Sequence, residues 1–126
     1  MNSNEYDNII KLTAFDRYKY FIKKVADFEE LWTITYIDGS YALSDIDDNV
    51  TISFWPKPEY IDSNLSNGWE KCVSKKLTLD DLEDELFDFI ASQNYLINVF
   101  PKNGKSGFVV SLDEFARDLS DELKNY

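Results

Sequence analysis

Carboxylates are the residues of this chain best placed to do chemistry. From Leu79 to Ala91 there are six acids and no base. At helical spacing Asp81, Asp84, Glu85 and Asp88 fall on or near one outer face. Paired carboxylates can run hydrolysis only when one is desolvated, so that its pKa rises and it can hand over a proton. Nothing around this run supplies such burial. The face therefore reads as solvated, and together with Asp80 it offers a row of negative charge to a basic partner. An enzyme is not expected.

Composition closes the other routes to catalysis. The chain has no histidine and a single cysteine. Without imidazole the commonest general base at neutral pH is missing, along with the triads and zinc sites built on it. One thiol cannot build a thiolate cluster, and Cys72 as a nucleophile would need a depressed pKa, with Lys71 or Lys75 as the source. "DIDDN" sets Asp45, Asp47 and Asn49 like the opening of a calcium loop. The loop's sixth and twelfth positions, which need glycine and glutamate, are here Val50 and Pro56. "NGKSG" echoes the end of a phosphate loop without the earlier glycine or a following helix, and reads as a hairpin turn. No metal and no cofactor is expected.

A third group of residues can bind rather than react. "FWPKPEYIDSNLSNGWE", Phe54 to Glu70, concentrates aromatic side chains where a strand should end. Pro56 stops the strand because proline cannot donate to a ladder. Pro58 suits the first turn of a short helix on which Ile61 and Leu65 share a face, and Asn67-Gly68 ends it. Trp55, Tyr60 and Trp69 are the candidate anchors, since interface hot spots favour Trp and Tyr.

These residues sit in a chain of 126 residues with net charge −11. That length is one domain by the usual prior, and an aromatic-rich composition can bury a real core. Residues 1–10 read as a flexible N-terminal segment and 11–126 as a single α+β domain. No apolar run is long enough to span a membrane, and neither a basic start nor an apolar leader opens the chain. A cytoplasmic protein is the expectation, with which the lone cysteine agrees. So negative a charge repels phosphate backbones and disfavours nucleic acid, and it favours basic protein partners. The charge is uneven: Lys11 to Lys24 holds five bases and one acid.

The elements that must position these groups are announced by repeated punctuation. Thr13 precedes Asp16, Thr78 precedes Asp81 and Ser111 precedes Glu114, each three residues apart, as N-caps do. The Ser111 box is expected to be strongest, because glutamate reaches back better than aspartate. Behind the caps run apolar stripes: Phe15, Tyr18, Ile22 and Val25; Leu79, Leu82, Leu86 and Phe89; and Leu112, Phe115, Ala116, Leu119 and Leu123. Between the first two helices, "LWTITYI", "SYALS" and "VTISFW" read as a three-stranded meander turned at Asp38-Gly39. "VSKKL" is an edge strand guarded by its lysines, and "YLINVFP" pairs with "FVV". The predicted fold class is α+β, a mainly antiparallel sheet of about five strands with three main helices and one short helix.

Three of these landmarks together resemble a known bacterial family. "EELWTITYIDGSYAL", "FWPKPEYI" and "VFPKNGKSGFVVSLDEFARDL" are similar to the family catalogued as domain of unknown function 2750, over most of the chain from about Tyr18. The family pattern often places histidine after Trp-Pro, where this chain has Lys57. The resemblance implies a fold and no activity. In size, charge and build the chain is also similar to immunity proteins, which block a cognate toxin. The functional expectation is a non-catalytic acidic binding protein of that kind. The alternative is a housekeeping or regulatory domain holding a small ligand or peptide at the Trp55–Trp69 corner.

Overall fold

The three hydroxyl caps form as their spacing requires. The side chain of Thr13 accepts from the Asp16 N–H, that of Thr78 from Asp81 and that of Ser111 from Glu114. The box that closes reciprocally is the one at Thr78, whose own N–H is bound by the Asp81 carboxylate at 2.9 Å. It is this box, and not the one expected to be strongest at Ser111, that is doubly bonded.

The computed structural model describes residues 3–61, 65, 68–102 and 105–126. In order these form α1 (Ser3–Ile10), α2 (Ala14–Phe28), β1 (Glu30–Thr35), β2 (Leu43–Ile46), β3 (Asn49–Phe54) and a 3-10 turn (Pro58–Tyr60). Then follow β4 (Val73–Thr78), α3 (Leu79–Asp81), a π turn (Leu82–Leu86), α4 (Phe87–Gln93), β5 (Leu96–Val99), β6 (Phe108–Val110) and α5 (Leu112–Leu123). The fold class is α+β. The stretch expected to be a flexible lead-in contains α1, which stacks Tyr6 on Tyr60 with ring centroids 5.3 Å apart. Of the expected short helix the described residues show the 3-10 turn; its expected end at Asn67 lies outside the described residues.

The sheets depart from the expected meander. β2 and β3 form an antiparallel hairpin, β3 pairs β5 in parallel and β5 pairs β6 antiparallel. β1 instead takes β4 as its antiparallel partner, from Glu30 opposite Thr78 to Thr35 opposite Val73. The Asp38-Gly39 turn does form, with Gly39 at φ 90°. Beyond it β1 and the return strand share one bridge, Thr35 to Tyr41. The cause lies at the other end of β1. Trp32 and Trp55 exchange both backbone hydrogen bonds at 2.8 Å, which sets β1 against the end of β3 and denies β2 a place between them. Thr33 adds a buried hydroxyl bond of 2.7 Å to the Ser53 carbonyl.

α2 and α5 pack on each other and on β5. Phe21, Val25, Leu31, Ile34, Ile52, Phe54, Ile97, Val99 and Phe115 are fully buried between them. α2 buries Phe21 and Arg17 in addition to Tyr18, Ile22 and Val25, and leaves Phe15, expected in its stripe, half exposed.

Candidate functional site

The corner at Phe54–Glu70 is built from the core outward. Trp55 is fully buried and its indole N–H donates to the Pro101 carbonyl at 2.9 Å. Tyr60 is 2% exposed, with its ring 4.7 Å from Phe100 and stacked on Tyr6. Trp69 is half-buried against the core, and its carbonyl accepts from the Cys72 N–H. Trp55 and Tyr60, expected as partner anchors, are therefore core residues. A side chain whose polar atom is already bonded inside the fold offers nothing to a ligand.

Phe100 explains why the corner is so heavily braced. It has φ 63°, a left-handed backbone rarely adopted by bulky residues. Its N–H donates to the Phe54 carbonyl at 2.8 Å, and its own carbonyl accepts from Arg17 Nε at 3.1 Å. Arg17, 3% exposed, also donates from Nη1 to Leu12 O at 2.7 Å and lies over the Phe100 ring. Burial pushes its guanidinium pKa down. Lys102 likewise donates to the Ile10 carbonyl. The basic groups of this region thus satisfy backbone carbonyls at the end of α1 and after β5.

What the corner presents outward is a cleft of about 310 Å3 between α1, α2 and the 3-10 turn, lined by Glu5, Tyr20, Lys24, Phe28, Lys57 and Glu59. Neither tryptophan lines it. Cys72 is buried, and burial with the neighbouring Glu70 charge pushes its thiol up, the reverse of what a nucleophile needs. Asp47 and Asp48 of "DIDDN" are the two positive-φ residues of the β2–β3 turn, at 49° and 67°.

The acidic run forms the continuous helix of α3, the π turn and α4. Asp80, Asp81, Asp84, Glu85 and Asp88 are all exposed, and none makes an ion pair among the described residues. Asp81 is committed to its cap, and the Thr78 N–H holds its carboxyl below the usual carboxylate range. The wide turn inserts one residue into the helical repeat, closing with Phe87 N–H on the Leu82 carbonyl. The buried stripe consequently runs Leu82, Leu86, Ile90, and Phe89, expected in the core, is turned outward at 37% exposure. Its ring meets Tyr41 at 5.8 Å and Tyr95 at 5.7 Å. Burial pushes the phenol pKa of Tyr41 up, and the charges of Glu85 and Asp81 add to it.

Sequence reasoning placed the acids correctly on the surface and missed Tyr41, Phe89 and Tyr95 beside them. The four-residue spacing from Leu86 to Ile90 was the available signal, masked by an equally regular spacing to Phe89. Glu59 carried no signal of its own within the Trp-Pro segment, and Lys57 stood out only as the residue after Trp-Pro.

Among the described residues no helix is long and apolar enough to cross a membrane. No curated protein matches the chain. A family model described as protein of unknown function (DUF2750) matches residues 18–119, from the middle of α2 through β6 into α5. That stretch holds the braced Trp-Pro and Phe-Pro corner and the acidic helix alike, and the chain belongs to this family.

Proposed function

We propose that the protein is a non-catalytic acidic binding protein of the bacterial cytoplasm that receives a basic protein partner on Asp80, Asp81, Asp84, Glu85 and Asp88. It would act as an immunity-type inhibitor, neutralising a cognate toxin. The observation carrying this reading is that one helix combines carboxylates lacking ion-pair partners among the described residues with an outward-turned Phe89. Unpaired surface carboxylates accelerate and orient the encounter with a basic surface, while an aromatic anchor slows release. Phe89, braced by Tyr41 and Tyr95, takes the anchoring role that the buried Trp55 and Tyr60 cannot fill.

The test begins with recovery of the partner from the native host on the tagged chain, eluted across a salt gradient. Association kinetics then compare the wild type with D84K/E85K, which spares the Asp81 cap. The reversal slows association about tenfold or more at low salt and flattens its salt dependence. F89A acts mainly on dissociation. An association rate unchanged by the reversal removes this reading.

A further inference from the structure

The cleft between α1, α2 and the 3-10 turn carries both signs of charge, unequally used. Glu5 accepts from the Tyr20 hydroxyl at 2.9 Å and faces Lys24 Nζ at 3.8 Å. Lys57 and Glu59 make no ion pair among the described residues. Lys57 Nζ instead lies 3.8 Å from the centroid of the half-exposed Phe28 ring, and Lys24 Nζ approaches the same ring at 5.6 Å. Cation–π contact of this kind fixes a long side chain in place, so less entropy remains to be lost when a ligand arrives.

The bland reading is that two lysines snorkel over an aromatic on their way to water. It leaves unexplained why both ammonium groups and an uncommitted carboxylate line one cleft. A purely anionic ligand there meets Glu5 and Glu59, and a purely cationic one meets Lys24 and Lys57. A ligand bearing both charges satisfies both pairs. Its carboxylate faces Lys57 and Lys24 and its ammonium faces Glu59, while the rings of Phe28 and Tyr20 already carry the lysine ammonium groups. The volume of about 310 Å3 lies at the small end of the range that ligand sites occupy.

We propose that this cleft binds a small zwitterion, an α-amino acid. The braced corner behind it keeps Lys57 and Glu59 in register: Trp55 is locked to Pro101, and the 3-10 turn is held by the Ile61 N–H on the Pro58 carbonyl at 2.9 Å. This inference stands apart from the acidic-face reading, which concerns a different helix, and either can fail alone.

The experiment titrates the full chain with L-alanine and L-glutamine, then with the N-acetyl and amide derivatives of each, by calorimetry and by nuclear magnetic resonance. Saturable binding of at least one free amino acid is expected, with shifts confined to the cleft. Each blocked derivative should bind at least roughly tenfold more weakly, because a charge of the site is then left unpaired. K57Q weakens the preference for acid over amide, leaving Lys24 alone to hold the carboxylate, and keeps that for free over acetylated amine; E59Q weakens the second preference and keeps the first. Both positions are at the surface, and circular dichroism verifies that the variants fold. The proposal is overturned if neither amino acid saturates the site, if blocked forms bind equally well, or if both preferences survive both substitutions undiminished.

Discussion

Phe100 stores strain that its neighbours must hold. A bulky residue in the left-handed region costs on the order of 1–3 kcal/mol, and persists only where surrounding contacts over-determine it. Arg17 is one such contact, and R17M should lower stability by about 2 kcal/mol by leaving the Phe100 and Leu12 carbonyls without their charged donor. The denaturation midpoint measures it. Gly107 is a second fixed point. Its N–H donates to the buried Asn98 side chain at 2.7 Å, and a Cβ there would run into the Val99 carbonyl. G107A should therefore cost about 2–3 kcal/mol, since backbone must move to admit the methyl group. Neither demand was legible in the sequence. Tryptophan and tyrosine suit an interface and a core equally well by type, so Trp55 and Tyr60 could not be assigned until their hydrogen bonds and neighbours were known.

At the scale of elements, local signals were legible and non-local ones were not. The caps at Thr13, Thr78 and Ser111 act over three residues and formed as read. The β2–β3 and β5–β6 pairings were also read, although β2 runs Leu43–Ile46, so that Asp45 and Ile46, expected in a polar connection, belong to the strand. The partner of β1 was not, because a distant backbone exchange between Trp32 and Trp55 decided which edge it faces. The π turn was equally hidden, since inserting one residue leaves a plausible stripe on either side of it. The β2–β3 turn invites a test, because Asp47 and Asp48 both hold positive φ. Asn-Gly is the pair this geometry prefers, and D47N/D48G should raise the stability of the domain by about 1 kcal/mol in thermal or chemical denaturation.

Across the whole molecule, charge and pairing order set the behaviour. A net charge of −11 repels itself, so moderate salt should raise the melting temperature while it weakens the encounter with a basic partner. The phenols of Tyr18 and Tyr20 are pushed up, chiefly by burial and then by hydrogen bonds to Asp118 and to Tyr60 and Glu5. Because they stay protonated in the fold while the unfolded chain ionises, their contribution is full below the ordinary phenol value of 10.0 and is lost as pH rises above it. Alkaline unfolding monitored by circular dichroism should accordingly begin there, and Y20F should blunt it. The ladders carry a further consequence, in time rather than in energy. Glu30 must find Thr78, and Thr51 must find Leu96, across intervening chain that includes the whole 3-10 corner. Pairings of that span close late, because loop entropy is lost before any contact rewards it. Newly synthesised chains would thus carry β1 and β3 with open edges until β4 and β5 emerge. The lysines at 75 and 76, exposed on β4, guard the edge of the last strand to cover β1.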